Sequence, residues 1–453
     1  RFADAGFTHS VSYPCTDYDT KNPSLLNAGE LLDRGCPVVK RRVFFQFPPY
    51  LDHFAVVGRW VLEKMIHFGY PVELALANLA RTVPPKDLNT DAGLLSVLPE
   101  VDVSFDRSKP LRTVVVAHIF YDEMTDEILD RADTLPGEYD LVVTTPEAER
   151  AERIREVIAR RPRRARHVDV RVVASNEGRD QSAFLIGCRD VLLGGAYDLV
   201  VKLHSKKTPQ DGFNVGRHFK ELQYENLLNS AGYTANLLAL FQREPGLGLV
   251  FPPTIHIGYP TMGRGWWSNK PGFAVLAEQL GIRVPLDDLT PLAPYGSMFI
   301  ARPEALRLLA SHEWQYAQFG GAEAYRDGGL AHILERMPVY AAGELGYHSR
   351  TVMTADQMAV SHTAFEFNFD ELSSTIPGAT YEQIEFLRLA GSTGNGRLRD
   401  FARIYMRLHH PGTGARMRRA MEPDRPLGRW WMRMRHPRAT MRHAAQRLRR
   451  PRV

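Results

Sequence analysis

The run TVVVAHIF at residues 113–120 is a continuous apolar segment, typical of a strand buried on both faces. Three similar segments follow it, at residues 139–144 (YDLVVT), 168–174 (VDVRVVA) and 197–203 (YDLVVKL). Segments with helical spacing separate the four, at residues 123–132, 147–160 and 180–193. This alternation predicts a Rossmann-like α/β fold, with a mostly parallel sheet and helices on both faces. Such sheets bind ligands at the carboxyl ends of their strands.

The alternation becomes looser beyond residue 207. We predict two helices within residues 219–241, strands at 247–251 and 293–301, and helices at 303–309, 327–337 and 381–389. We divide the chain into a remainder of a preceding domain with a connector (1–110), a catalytic domain (111–347), a helical extension with a linker (348–402) and a basic tail (403–453). Because the first residue is Arg1 rather than methionine, we expect the chain to be a piece of a longer protein.

The charge is unevenly distributed along the chain. Residues 403–453 carry 15 arginines and two acidic residues, a net charge of +13, which leaves 42 basic and 50 acidic residues, a net charge of −8, before them. The basic pI therefore does not indicate that the folded part binds nucleic acid. Cys15, Cys36 and Cys188 form neither a disulfide framework nor a metal-ligand pattern, which is consistent with a reducing cytoplasm.

Two polar clusters follow strands of the predicted sheet. The turn SNEGRD at residues 175–180 contains Asn176, Gly178, Arg179 and Asp180, and its backbone N–H groups and arginine could approach a diphosphate. An ordinary strand-to-helix turn, with Asp180 as the helix cap, is the alternative.

The cluster KLHSKKT at residues 202–208 follows the strand at residues 197–203 and places His204, Lys206 and Lys207 at its end, where their charge suits a phosphorylated ligand. His204 and Lys206 should share one side while the chain stays extended. A solvated basic strand end is the alternative here.

Two more clusters lie in the second half of the chain. The segment APYGSMFIARP at residues 293–303 contains Tyr295, Gly296, Ser297 and Met298, and its glycine allows either a ligand or another backbone to approach closely. The segment RDGGLAHILER at residues 326–336 begins with Asp327, which could be a helix cap or could accept the proton of an attacking hydroxyl. His332 lies on the same predicted helix, and Glu335 and Arg336 could be ion-pair residues.

In this order, these clusters resemble the rhamnan synthesis protein F family of bacterial polysaccharide glycosyltransferases. The similar text comprises residues 114–145, VASNEGRD, YDLVVKLHSKKTP, APYGSMFIARPEAL and DGGLAHILER, and it covers residues 112–347. LLDRGCPVVKRRVFFQ and YPVELALANLART also look like the segment that precedes this domain in longer members. The resemblance implies transfer of rhamnose from dTDP-rhamnose to a lipid-linked glycan at the cytoplasmic face of the inner membrane.

A more distant similarity to A-type glycosyltransferases implies roles for the residues. Asn176, Gly178, Arg179, Asp180, His204, Lys206 and Lys207 would bind the donor, and Asp327 would be the base of an inverting displacement. Tyr295, Gly296, Ser297, Met298, Trp266 and His332 would bind the acceptor, although Trp266 and Trp267 could instead anchor their loop. His204-Ser205-Lys206 occupies the place of the Asp-x-Asp metal motif, so a divalent metal is possible but no standard site is visible.

Two questions stay open at this level. The missing Asp-x-Asp motif also allows a non-catalytic glycan-binding or assembly module. Another group-transfer enzyme with a phosphorylated donor is a further alternative.

The tail RWWMRMRHPRATMRHAAQRLRR combines Arg with Trp430 and Trp431, which suits an anionic membrane surface. A solubilising disordered tail and, less consistent with the rest, a nucleic-acid arm are the alternatives; we predict no nucleic-acid partner.

Overall fold

The computed structural model describes residues 27–45, 57–162, 164–207, 212–258, 261–375, 378–390, 402, 405–406, 410–420 and 425–426. Its strands are β1 (Leu95–Leu98), β2 (Thr113–His118), β3 (Tyr139–Thr145), β4 (Ala165–Val172), β5 (Leu199–His204), β6 (Leu247–Phe251), β7 (Phe299–Ala301) and β8 (His348–Thr354). These eight strands form one sheet in the order β1-β8-β6-β7-β5-β2-β3-β4. β7 runs antiparallel to β5 and β6, and the other neighbours are parallel.

The α-helices of the first half are α1 (Ala28–Asp33), α2 (Val57–His67), α3 (Val72–Thr82), α4 (Pro85–Asp91), α5 (Thr125–Ala132), α6 (Ala148–Arg160), α7 (Arg179–Leu185), α8 (Arg189–Leu193), α9 (Phe213–Leu228) and α10 (Ala231–Arg243). Those of the second half are α11 (Asn269–Gln279), α12 (Arg307–Ser311), α13 (Tyr316–Phe319), α14 (Leu330–Arg336), α15 (Pro338–Glu344), α16 (Ala355–Ser374), α17 (Thr380–Ala390) and α18 (Pro411–Ala420). Short 3-10 turns lie at Arg41–Phe44, Asp122–Met124, Pro303–Leu306 and Ala322–Ala324.

The central strands are buried on both faces. In β2, Val114 and Val116 join the apolar core on one side of the sheet, whereas Val115 and Ala117 join the core on the other. This follows from the continuous apolar run, since alternate side chains of a strand point to opposite faces. The predicted Rossmann-like α/β class, with a mostly parallel sheet between two helical layers, is confirmed.

The sheet extends past the domain boundaries that the sequence predicts. β1 lies within residues 1–110 and pairs with β8, which lies within residues 348–402. The chain divides instead into two compact units, Arg1–Ala364 and Phe365–Val453. Short strands such as β1 have too few residues for their periodicity to be distinctive, which explains why the sequence pattern misses them.

Three predicted elements differ in extent from the observed ones. The helix at residues 180–193 is divided into α7 and α8, with Gly187 and Cys188 between them. The strand at residues 293–301 is only β7, because Gly296 and Ser297 adopt left-handed φ angles of 85° and 63°. The helix at residues 327–337 begins only at Leu330.

The second unit includes α17, close to the helix predicted at residues 381–389, and α18. Most of the basic tail, including Trp430 and Trp431, lies outside the described residues. None of the helices in the described part of the chain is both long and apolar enough to cross a bilayer.

Candidate active site

Three strands converge on one edge of the sheet. His118, the last residue of β2, is in register with His204, the last residue of β5. Because β7 is antiparallel to β5, the residues that precede β7 reach the same edge as the residues that follow β5. The strand directions alone therefore bring the 202–208 and 293–298 clusters together.

A cavity of about 580 Å³ lies at this edge. Residues from all four predicted clusters line it: Asn176, Arg179, Asp180, His204, Lys206, Lys207, Tyr295, Gly296, Asp327 and His332. Gly178, Ser297, Met298 and Trp266 do not line it. The cavity therefore has the cations beyond β5 and the carboxylate of Asp327 in its wall, as a shared donor and acceptor pocket requires.

Aromatic rings support the two lysines that follow β5. The Lys206 ammonium nitrogen lies 4.0 Å from the ring centroid of Phe219, and that of Lys207 lies 4.9 Å from the ring centroid of Tyr121. Lys207 also forms an ion pair with Glu123. The cation–π contacts hold both ammonium groups in place at the cavity wall, and Glu123 offsets part of the charge of Lys207.

The turn before α7 contributes a guanidinium group to the same wall. The guanidinium carbon of Arg179 lies 3.5 Å from the ring centroid of Tyr325. Gly178, with φ 82°, packs under Phe319, and a Cβ atom added there would lie 2.4 Å from the Phe319 ring. Gly178 is therefore needed for the turn and its packing, whereas Arg179 is the side chain that a ligand can reach.

A buried ion pair lies beneath the cavity. The Lys202 ammonium, only 2% exposed, donates to Asp180 Oδ2 at 2.6 Å and to the Ser297 carbonyl at 2.9 Å. Burial raises the pKa of Asp180, but Lys202 and His204 outweigh it and hold the pKa well below its ordinary value. Asp180 does not cap α7, as the sequence also allowed, because its carboxylate is used by Lys202.

The Ser297 hydroxyl belongs to the same buried cluster. It accepts hydrogen bonds from Lys202 Nζ and from Gln181 Nε2. The position of Ser297 gives no support to the acceptor role predicted for it, because the residue is 4% exposed and its hydroxyl makes its hydrogen bonds inside the protein. Ser297 instead joins β5, α7 and the segment before β7.

His204 and the lysines do not form a site that suits a divalent cation. His204 Nε2 is 2.7 Å from the Gly296 carbonyl, so this nitrogen carries a proton and donates. Burial lowers the pKa of His204, which keeps the ring neutral. Among the described residues no three His, Cys, Asp or Glu side chains are grouped as ligands. The positive charge of Lys206 in the cavity wall opposes the binding of Mg²⁺ or Mn²⁺ there.

Two buried polar atoms at the cavity wall have no hydrogen-bond partner of normal geometry: His118 Nε2 and Asn176 Oδ1. Burial lowers the pKa of His118 to about 4, although the negative charge of Asp180 and, less strongly, a contact with Asn176 oppose this. His118 Nδ1 is 3.1 Å from the Thr144 hydroxyl. Unpartnered polar groups are costly inside proteins, which is consistent with a polar ligand or water at this wall.

Gly296 connects the two sides of the cavity through its backbone. Its carbonyl accepts from His204, and its N–H donates to Glu335 Oε2 at 3.2 Å. Its φ of 85° allows both bonds at once, and an added Cβ would lie 3.0 Å from Gln223 Cδ and 3.1 Å from Phe219 Cζ. Only glycine fits this position without strain.

Asp327 faces the loop that opens α11 rather than the helix that follows it. Its carboxylate accepts from the Ser268 N–H at 2.6 Å, from the Ser268 hydroxyl at 2.5 Å and from Asn269 Nδ2 at 2.5 Å. These bonds lower the pKa of Asp327, although burial opposes them. The cap role is excluded, because the N-cap residue of α14 is Gly329.

The positions of Trp266 and Met298 give no support to the acceptor roles predicted for them, since neither residue lines the cavity. Trp266 is 4% exposed, donates its Nε1–H to the Asp287 carbonyl at 2.7 Å and packs against Phe273. It anchors the loop, which was the competing interpretation. Met298 is fully buried in the core. Trp267 is instead the tryptophan that lines the cavity, 52% exposed and held at φ 45°.

Tyr295 and His332 line the cavity with polar atoms that are already bonded. The Tyr295 hydroxyl donates to the Pro291 carbonyl at 2.8 Å. His332 Nδ1 is 2.7 Å from the Arg326 carbonyl, and its ring packs on Tyr325. Tyr295 is only 4% exposed, whereas His332 is half-buried and its Nε2 is available for a further hydrogen bond.

Several wall residues were not singled out as ligand-binding residues in the sequence. His118 could have been found from the strand-end rule, since it is the last residue of β2. Glu335 was considered only as an ion-pair residue. Phe219 and Tyr325 carry no sequence signal, because an aromatic residue in a helix or loop is usually part of the core.

The chain matches the rhamnan synthesis protein F family over residues 1–347. The chain belongs to this family. It is 30% identical over 252 residues to the uncharacterized protein WxcX from two strains of Xanthomonas campestris pv. campestris, a match that covers 55% of this chain. The chain spans about a third (34%) of the length of these curated relatives.

Two X-ray structures of the mannosyltransferase Ktr4p from S. cerevisiae resemble this family member weakly. Both are 11% identical to it and cover 61% of it, with TM-scores of 0.28 and 0.27, and the second is a complex with GDP. The matches cover 74% and 82% of those chains. A likeness this small carries no conclusion about the present chain. Family membership and the mostly parallel α/β sheet support a glycosyltransferase of polysaccharide synthesis.

Proposed function

We propose that this protein transfers a sugar, rhamnose from dTDP-rhamnose, to a growing lipid-linked cell-surface glycan. The observation that carries the proposal is the shared cavity: cations from the end of β5 and carboxylates from the α14 region line one space. Membership of the rhamnan synthesis protein F family supports rhamnose as the sugar. A nucleotide sugar supplies both a diphosphate for the cations and an anomeric carbon between the two walls.

The proposed reaction is a single inverting displacement. Arg179, Lys206 and Lys207 stabilise the negative charge that develops on the leaving nucleoside diphosphate. Trp267 offers an exposed ring on which an acceptor sugar can stack. A carboxylate on the acceptor side takes the proton of the attacking hydroxyl; Asp327 and Glu335 both line the cavity there. No step is assigned to a metal, since the residues at the Asp-x-Asp position do not suit one.

A two-stage experiment tests this function. Thermal unfolding is first followed with dTDP-rhamnose, dTDP, UDP and GDP, and we expect dTDP-rhamnose and dTDP to raise Tm. Release of dTDP is then measured with purified lipid-linked glycan. Binding without release would support a non-catalytic glycan-binding or assembly module. The absence of both a Tm shift and release would contradict the proposed function.

Lys206→Met should weaken dTDP binding by about tenfold, because the ammonium over Phe219 would no longer neutralise the diphosphate. The loss should shrink at high salt, since salt screens the charge. Lys207→Met should also weaken dTDP binding, although Glu123 offsets part of the charge of Lys207. Titration calorimetry measures the affinities, with Lys109→Met as the matched control on a 79% exposed side chain outside the cavity. Equal affinities for all variants would exclude Lys206 from the diphosphate site.

We also propose that the basic tail holds the protein at the cytoplasmic face of the inner membrane. The 15 arginines of residues 403–453, with Trp430 and Trp431, suit anionic headgroups. Removal of residues 403–453 should abolish sedimentation with vesicles that contain phosphatidylglycerol, and phosphatidylcholine vesicles are the control. If the shortened protein sediments as well as the full chain does, the tail is not the anchor.

A further inference from the structure

Two carboxylates lie on the acceptor side of the cavity, and their surroundings differ. Asp327 accepts three short hydrogen bonds, two on Oδ2 and one on Oδ1. Lone pairs and negative charge held in such bonds are less available to take a proton. Asp327 is therefore well placed to fix the turn at Ser268 and Asn269, and poorly suited to act as a base.

Glu335 has a different hydrogen-bond pattern. Its Oε2 accepts from the Gly296 N–H at 3.2 Å, and its Oε1 forms an ion pair with the Arg336 guanidinium at 3.4 Å. Its side chain is 18% exposed and lines the cavity. The carboxylate is thus oriented by two contacts, both longer than those of Asp327, and its Oε1 is the less tightly bonded oxygen on the acceptor side.

The neighbours of Glu335 fix its position. Arg336 is 4% exposed and is held by the Gly265 carbonyl at 2.7 Å and the His332 carbonyl at 2.6 Å. Gly296, which holds Oε2, is bound on its other side by His204 at the end of β5. A continuous set of hydrogen bonds therefore links the donor side of the cavity to this carboxylate.

We infer that Glu335, rather than Asp327, is the general base of the transfer, an inference that rests on the proposed function. Glu335 Oε1 accepts the proton of the acceptor hydroxyl while the hydroxyl oxygen forms a bond to the anomeric carbon. The bond from that carbon to the phosphate oxygen breaks, and its electron pair leaves with the nucleoside diphosphate. Asp327 is a positioning residue that holds the loop carrying Trp267 against the cavity.

The test compares Glu335→Gln, Asp327→Asn and the control Glu278→Gln, which makes the same change on an exposed position of α11 outside the cavity. Turnover is measured as dTDP release from dTDP-rhamnose with lipid-linked glycan, and dTDP affinity by calorimetry. We expect Glu335→Gln to lower kcat by about 10²–10⁴ with dTDP affinity unchanged. Its kcat should also lose the acidic limb of the pH profile. Asp327→Asn should mainly raise the KM for the acceptor.

Each outcome is decisive. If Glu335→Gln keeps kcat within about fivefold of the unaltered protein, or keeps its acidic limb, the inference is wrong. It is equally wrong if Asp327→Asn shows the larger loss of kcat. These results differ from failure of the proposed function, in which the unaltered chain itself would neither bind dTDP nor release it.

Discussion

Replacing Lys202 with methionine should lower the free energy of unfolding by about 3–5 kcal/mol near neutral pH. The methionine fills much of the space, but Asp180 would stay buried with no cation beside it. The Ser297 carbonyl would also lose the hydrogen bond from Lys202, and the Ser297 hydroxyl would keep only the one from Gln181. An uncompensated charge at a position 7% exposed is costlier than the loss of an ordinary surface pair.

The pH dependence follows from the depressed pKa of Asp180. A carboxyl group with a lowered pKa stabilises the fold above its ordinary pKa, and the contribution is lost as the pH falls toward the folded value. The unaltered protein should therefore lose stability in acid, and the difference between it and Lys202→Met should narrow there. Urea unfolding at pH 7 and in acid measures both effects.

The double variant Lys202→Met with Asp180→Asn is the control, since it removes both charges and should cost less than Lys202→Met alone. If the single variant unfolds within about 1 kcal/mol of the unaltered protein, the pair is not a stabilising buried interaction. A variant that fails to fold can still be compared with the double variant for recovery of soluble protein, and recovery by the double variant alone would support the pair.

Replacing Gly296 with alanine should reduce kcat by about 100-fold, because small displacements in an active site have effects of that size. A left-handed φ of 85° disfavours alanine, and its Cβ would meet Gln223 and Phe219 at 3.0 and 3.1 Å. The two peptide groups on either side of Gly296, one bonded to Glu335 and the other to His204, would have to move. The free energy of unfolding should fall by about 1–3 kcal/mol as well.

Gly281→Ala provides a matched control. Gly281 also has a positive φ, 72°, but nothing lies within 4 Å of an added Cβ, and the residue is outside the cavity. This variant should share the backbone strain and keep normal turnover. Measurement of kcat and Tm for both variants distinguishes the effect of backbone strain, which both share, from the effect of displaced cavity residues, which only Gly296→Ala should show. Equal kcat values would show that Gly296 does not position the site.

Much of the fold could be predicted from the sequence, because the spacing of apolar residues along the chain reflects which faces of each strand and helix are buried. Continuous apolar runs such as residues 113–120 identify the central strands of the sheet without knowledge of their partners. The antiparallel direction of β7 could not be predicted, since three residues give no signal of direction. The edge strand β1 could not be predicted either, because its four residues are too few for a recognisable pattern.

Site residues could be predicted where they follow the end of a strand. They could not be predicted where their role depends on a partner that is distant in the sequence. The strand-end rule led to Arg179 and to Lys206, which line the cavity. It could not show that Lys202, in the same lysine-rich stretch, points into the interior and pairs with Asp180. The sequence also could not show that Trp266 is buried and the adjacent Trp267 is exposed. This difference depends on which of the two rings the loop directs into the core.

The connection between β6 and β7 builds one side of the cavity. After β6, the chain leaves the sheet and returns only at β7, and this connection contributes Ile255, Thr261, Trp267, Tyr295 and Gly296 to the cavity wall. Insertions or exchanges within it would reshape that wall while every strand keeps its neighbours in the sheet. Related chains can thus change which molecules the cavity admits through one connection, without any change in the packing of the hydrophobic core.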